Sequence, residues 1–480
     1  MTSMAVASLL AGLDATAVST AMPSMIHDLG TSQGYPWIAN AYLLTSTAFT
    51  PLFGQTADLF GRRALTVAVL VVFAARSAIA APAPTLGVLV LGCAVQGVGC
   101  GGLNALVEMV VCDLVPLRER GRFMGFVFAV YAVSTTVGPL VGGALATYAT
   151  WRWIFYLNLP LAGLTLAMVL LSLGALPQGS GVSTSSLRRV DWAGNCLLPE
   201  PTTPLRLFAN RTSLVGFWCA FVHNMLVYWL LFVPPVYFQA VLGASAFRSG
   251  VDILPTAAVC MPFTILSGGV MSKVGRYRPL LVLGFAFFPI AIGLFTRLDE
   301  ETSTGYWAGI QIIGALAIGI VTPVTLPTIL TPLPESDVAI GTATWAFMRG
   351  FGTIWGAAIP LAVFNSHANS LVDVRLAGHD HARALLANGG AYTLAAGGSL
   401  YSALGCLGED DAGLEGVVKS IYVDSLRLCW QVGLAFALVG FLLTFVVEEV
   451  PMRTELETEF GIAGGQDKPR GGDDVHAGAI

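Results

Sequence analysis

Long apolar runs recur along this chain, separated by short polar or charged turns. Twelve of them are long enough to cross a bilayer, which takes roughly 20 residues of helix. They lie near 5–26, 37–57, 64–83, 86–111, 123–146, 153–176, 214–239, 250–272, 279–297, 306–330, 340–363 and 428–448. Backbone groups in hydrocarbon must find partners within their own segment, so each run is read as a helix. Three polar stretches interrupt the rhythm. Pro177–Ser213 is rich in Ser, Pro and Arg and reads as a linker, Asn365–Arg427 as a long loop with amphipathic helices, and Arg453–Ile480 as a disordered tail. The organisation expected is an all-α polytopic membrane protein. An N-terminal six-helix bundle (1–176) is followed by a linker (177–213), a C-terminal six-helix bundle (214–450) carrying the loop 365–427, and a tail (451–480).

Composition agrees with the pattern. The chain has 480 residues, 55% of them hydrophobic and 11% charged, against about 25% charged in soluble domains. One globular core cannot absorb that excess, because single cores stop growing near 250–300 residues. The eight cysteines show no metal or CxxC spacing, and most lie within apolar runs, as packing residues do. Met1–Ile26 holds Asp14 mid-segment and has no basic start, so it reads as a span and not as a cleaved leader.

Arg and Lys set the orientation. With Met1 inside, the inner loops hold Arg62, Arg63, Arg118, Arg120, Arg122, Arg188, Arg189, Arg206, Arg211, Lys273, Arg276 and Arg278, whereas the short outer loops hold Arg152, Arg248 and Arg297. Both termini are expected in the cytoplasm. The inner loop Thr331–Ala339, with no Lys or Arg, is the exception.

Five groups of residues carry candidate chemistry. Asp14 sits mid-membrane, where a carboxylate is costly and is a functional candidate by default; it is the proton-coupling candidate, the bland alternative being a structural hydrogen bond. The turn Gly54–Arg63 supplies Gly54, Asp58, Gly61, Arg62 and Arg63. With Asp113 as partner it reads as a latch, and it is echoed by GGVMSKVGRYRPL in the second half. Gly97 and Gly101, and Gly138 and Gly142 with Pro139 and Gly143, have the spacing of closely packed or kinked helices. Gln96, His223, Asn224 and Arg349 are cavity candidates; Glu108 is placed near the inner surface. His379 and His381 lack the further ligands of a metal site. No phosphate-binding loop of the GxxxxGK[ST] type occurs, so transport on an ion or solute gradient is expected rather than on ATP. No nucleophile–base set marks an enzyme.

Taken together, LDATAVSTAMP (13–23), YPWIANAYLLTSTAF (35–49), VQGVGCGG (95–102), DLVPLRERG (113–121), GPLVGG (138–143), WRWIFYLNLP (151–160), PPVYFQ (234–239) and SGVDILP (249–255) resemble the major facilitator superfamily, in particular its fungal drug:proton antiporter branch. The resemblance implies the major facilitator fold and export of small amphipathic compounds, such as drugs or toxins, against inward proton flow. It implies roles in exchange for Asp14 and the segment-five glycines. It further implies an integral protein of the plasma or vacuolar membrane, a monomer without cofactor or nucleic acid, whose partners are substrate, protons and lipid. The chain departs from the branch in three respects. Cys93 stands where the family has an arginine three residues before the Gln matching Gln96, Ser134 replaces a glycine, and two central helices between Val190 and Ser213 are missing. An uncoupled facilitator or importer, or a transport-inactive paralogue, are the rival readings.

Overall fold

The computed structural model describes residues 2–29, 36–172, 203–387, 389–396, 400 and 412–452, and among them there is helix and turn but no strand. Most of the expected linker (177–202), part of the loop (401–411) and the tail (453–480) lie outside the described residues, as do the side chains of Asp58 and Pro139.

Six long helices form the first half: α1 Thr2–Leu29, α2 Pro36–Phe60, α3 Arg62–Ala80, α4 Leu86–Leu114, α5 Leu117–Tyr148 and α6 Arg152–Ser172. The second half follows as α7 Arg211–Ala240, the short α8 Ala246–Asp252, α9 Leu254–Val274, α10 Arg278–Phe295, α11 Thr304–Val321, α12 Thr325–Leu330 and α13 Val338–Arg375. It ends with α14 Asp380–Leu386, α15 Gly390–Ala396 and α16 Ala412–Thr444. Where described, each apolar run of the sequence lies mainly on one of the long helices, the run 250–272 beginning in α8 and continuing in α9 and the run 306–330 being shared by α11 and α12.

The composition of these helices suits hydrocarbon. Pro51, Pro160, Pro262, Pro289 and Pro360 lie inside α2, α6, α9, α10 and α13, which membrane helices tolerate because neighbours re-satisfy the freed carbonyls. Hydroxyls look after themselves: Thr16, Thr45, Thr56 and Thr66 each donate to the carbonyl four residues back, at Gly12, Ala41, Leu52 and Arg62.

Within the first half α1 packs on α5 and α6, α2 on α4, and α3 on α4 and α6; within the second, α7 packs on α13 and α16, and α11 on α9 and α10. The halves meet along α5 with α9 and α2 with α13, aided by α4 with α13 and α5 with α12. The turns α2–α3 and α9–α10 each pass through a left-handed glycine, Gly61 (φ 81°) and Gly275 (φ 72°). The sequence echo is therefore also a backbone echo, since that conformation favours glycine.

Two expectations are corrected. The run 306–330 is not one helix. It breaks at Thr322–Val324, where Pro323 lacks an amide donor and Pro327 follows one turn later. The stretch 365–427 is largely helical where described: α13 continues to Arg375 and α16 begins at Ala412. Among its described residues, polar side chains tie helices together. Arg375 pairs with Asp424, and Arg383 with Asp373.

Candidate functional site

A fully enclosed polar network lies inside the first half. Asp14 of α1 and Arg76 of α3 are both 0% exposed, with Nη1 of Arg76 3.3 Å from Oδ1 of Asp14. The same oxygen accepts from Asn158 of α6 at 2.5 Å. Arg76 Nη2 donates to Gln96 of α4, and its guanidinium lies 4.6 Å over the Phe155 ring. The network is incomplete: Asp14 Oδ2, Arg76 Nε and Asn158 Oδ1 are buried with no hydrogen-bond partner among the described residues. A buried charge pair with spare lone pairs and protons has high stakes, since it holds only while both partners are present. Cys93 is buried beside it, one helical turn before Gln96. The cation of this network comes from α3, as Arg76. Gln96 belongs to this closed network and lines no open space.

A second charge pair bridges the halves. Arg349 of α13 donates through Nη1 to Oε1 of Glu108 on α4 at 2.5 Å. The guanidinium sits between the rings of Phe128 (4.9 Å) and Trp345 (4.5 Å). Glu108, placed near the inner surface by the sequence, is buried here and pairs across the halves. His223 and Asn224 are buried too. His223 packs edge-on against Phe288 of α10 at 5.8 Å, and Asn224 donates to the Ala220 carbonyl. In this structure neither faces open space, because α7 is pressed between α13 and α16.

At the end carrying the α2–α3 turn the halves are drawn together. Within the first half, Arg62 Nε of α3 lies 2.8 Å from Asp113 Oδ2 of α4, both nearly buried, while Arg63 is half-exposed; the contacts that follow join the two halves. Gly54 faces Ala343 of α13 so closely that a Cβ would lie 2.7 Å from its methyl group. Arg118 at the start of α5 donates to the carbonyls of Ser272 and Lys273 at the C-terminus of α9, a favourable place for a cation. The buried Arg120 pairs with Glu335 at 3.1 Å. Gly121 and Gly268 bring α5 and α9 into backbone contact, a Cβ on Gly268 meeting the Gly121 carbonyl.

The expected helix-packing glycines divide. Gly97 and Gly101 lie against the backbone of α2 at Tyr42 and Ser46, and Gly138 against Leu13 and Thr16 of α1. Gly142 is buried. Gly143 has open space where a side chain would go, so close packing does not require glycine there. Sequence reasoning missed Asn158 and Glu335, and it held Gly121 and Gly268 within quoted motifs without showing that they meet. The lone amide within the apolar run of α6 was the signal for Asn158; Glu335 carries none within its own segment.

Comparison with known proteins follows the same lines. Residues 4–357 match the family model described as Major Facilitator Superfamily. The chain is 41% identical over 504 positions to the "Acurin A biosynthesis cluster MFS-type transporter" of Aspergillus aculeatus, covering 95% of this chain and 90% of that one. It is 40% identical to "Efflux pump FUS6" of Gibberella fujikuroi, covering 96% and 90%. The 504 aligned positions exceed the 480 residues of the chain, so that relative carries residues this chain lacks. Among solved structures the chain resembles the human organic anion transporter MFSD10 (TM-score 0.61, 15% identity, covering 92% of this chain and 98% of that one). It also resembles the proton:xylose symporter XylE (TM-score 0.59, 17% identity, covering 85% and 94%). At these identities the likeness concerns the fold.

Proposed function

The chain belongs to the Major Facilitator Superfamily, and on that premise we propose that it exports small amphipathic compounds by proton antiport through alternating access. It is an integral, multi-pass membrane transporter and not an enzyme. In the export cycle a compound enters between the halves from the cytoplasm, the halves rock about it, and protonation of Asp14 from outside favours release. Deprotonation inside resets the pump. The relatives' names, efflux pumps and a biosynthesis-cluster transporter, support export of secondary metabolites.

The observation that carries the coupling role is the enclosure of Asp14 with Arg76, Asn158 and Gln96. A carboxylate paired to a single cation and lacking a partner on its other oxygen has two discrete arrangements, paired and released. Those two arrangements are what a switch requires. The test is exchange in liposomes under an imposed pH gradient. Asp14→Asn should retain downhill movement of compound and lose gradient-driven exchange; normal gradient-driven exchange in that variant would end the proposal.

The remaining assignments follow from the same reading. Both termini face the cytoplasm, so the drawn-together end is the cytoplasmic gate, and this conformation is closed to the cytoplasm. Gly54, Asp58, Gly61, Arg62, Arg63 and Asp113 form its latch, and the plasma membrane is its location. The halves are 1–176 and 214–450, joined by a shortened linker where two central helices of the branch are missing. The excess of aligned positions over chain length supports that placement. The rival reading of an uncoupled facilitator rests on Cys93. The presence of Arg76 beside Cys93 weighs against it, because the cation is there in another guise.

A further inference from the structure

The Asp14–Arg76 and Glu108–Arg349 pairs differ in one respect that bears on substrate chemistry. Asp14 and Arg76 are both sealed, but in the inter-half pair the exposure is unequal: the Arg349 side chain is 24% exposed and that of Glu108 is 5%. Arg349 contacts α4 through Glu108 and α5 through Phe128, so it lies between the halves. Its exposed edge therefore faces the gap between them. Of its donors, Nη1 has a carboxylate acceptor among the described residues. The aromatic rings on either side fix the guanidinium plane and leave its remaining edge open. Behind it Glu108 Oε2 is buried without a partner among the described residues. One turn on, the Thr353 hydroxyl donates to the Arg349 carbonyl.

We propose that Arg349 is the recognition point for an anionic group on the transported compound, and that Glu108 is its built-in competitor. The substrate class is an organic acid, a carboxylate or an ionised enol or phenol, on a planar aromatic or conjugated body. The anion takes the guanidinium's open edge in paired N–H···O bonds, and the planar body lies against the rings of Phe128 and Trp345. A cationic compound would have to pass Arg349 to reach Glu108, and the order of the two charges is set against it. Because Glu108 and Arg349 belong to different halves, an anion that draws Arg349 away from Glu108 removes one tie between them. Its binding thereby favours the conformation in which that tie is open. This inference rests on the reading of the chain as an exporter of small amphipathic compounds and narrows it to acids.

Isothermal titration of the purified full chain in lipid nanodiscs tests it, with empty nanodiscs as the blank. The probes are naphthalene-2-carboxylate, its methyl ester and 2-naphthylmethylamine. The native protein should bind the acid at least about tenfold more tightly than the ester or the amine. Glu108→Gln should tighten the acid about tenfold further and leave the ester unchanged, since only the competitor is lost. The double variant Glu108→Gln/Arg349→Gln, which leaves no unpaired buried charge, should bind acid and ester alike. Equal binding of acid and ester by the native protein, a preference for the amine, or an unchanged acid affinity in Glu108→Gln would each overturn the proposal. Binding is read without a gradient. Loss of pH-driven exchange with the acid preference intact would therefore count against proton antiport and leave this inference standing, and the converse holds as well.

Discussion

Removing Arg76 offers the sharpest test of how the first half is held together. At 3.3 Å from Asp14, the guanidinium contributes about 5 kcal/mol of attraction at an effective dielectric constant of about 20. Both groups are fully buried, and breaking such a pair from one side costs about 3–5 kcal/mol, because a charge is left without compensation. Arg76→Ala and Asp14→Asn should each lower the thermal unfolding midpoint of the purified protein by roughly 6–20 °C, taking about 2–4 °C per kcal/mol. The double variant Asp14→Asn/Arg76→Ala should recover most of that loss, since removing both charges together is nearly neutral. The interaction energy from the cycle should thus be several kcal/mol. Position 93 extends the test. Cys93→Arg alone puts a second cation into a sealed pocket that already holds one, and should reduce the yield of folded protein. Cys93→Arg in the Arg76→Ala background returns a single cation and should restore both the midpoint and gradient-driven exchange. Additive single and double variants, or a Cys93→Arg protein as stable as the native one, would refute the reasoning.

Three further outcomes are expected. Gly268→Val places a branched side chain against the Gly121 carbonyl and should part α5 from α9, raising maleimide labelling of a cysteine introduced between Gly125 and Thr264. Unchanged labelling would mean that the contact does not close the gate. Tyr277→Phe removes a hydroxyl that donates to the Glu448 carbonyl and accepts from the Val450 amide. It should cost about 2 kcal/mol, at about 1 kcal/mol per hydrogen bond, and make the chain after α16 more sensitive to protease. Burial pushes the Tyr277 phenol up to about 12 from its ordinary 10.0, so the proton is held more tightly in the folded state. The tie is then complete below about pH 10 and lost as pH rises through about 12, and protease sensitivity should follow that window. Asn210 begins a glycosylation sequon and caps α7, accepting from the Thr212 amide. On the cytoplasmic assignment it carries no sugar, and a glycosidase-sensitive mobility shift abolished by Asn210→Gln would reverse the topology.

The helices were legible because each apolar run must satisfy its backbone internally, and run length alone then reports a span. Breaks within runs were less so: Pro323 was plain to see, but proline in a membrane helix kinks in one setting and breaks in another, as Pro262 and Pro323 illustrate. Asp14 stood out as an isolated charge in an apolar field. Its partners did not, because pairing Asp14 with Arg76 and Asn158 requires knowing how α1, α3 and α6 are rotated about their axes, which one sequence does not encode. The partner of Glu108 was hidden for the same reason. The depth of Glu108 along α4 was read correctly as near one end, but the neighbouring half that buries it is more than two hundred residues away in the chain. Arg62 with Asp113 was foreseeable, since both lie at helix ends whose topology puts them on the same side.

The seam between α5 and α9 is made largely of atoms that every amino acid possesses. Gly121 and Gly268 meet through backbone, and Gly125 faces the Thr264 carbonyl. Where backbone meets backbone there are no rotamers to re-sort as the joint parts, which leaves fewer wrong interdigitations in which to be trapped. It also has nothing to trade. A lost salt bridge can be rebuilt from another helix, but a methyl group added at Gly268 has no partner whose shrinkage makes room for it.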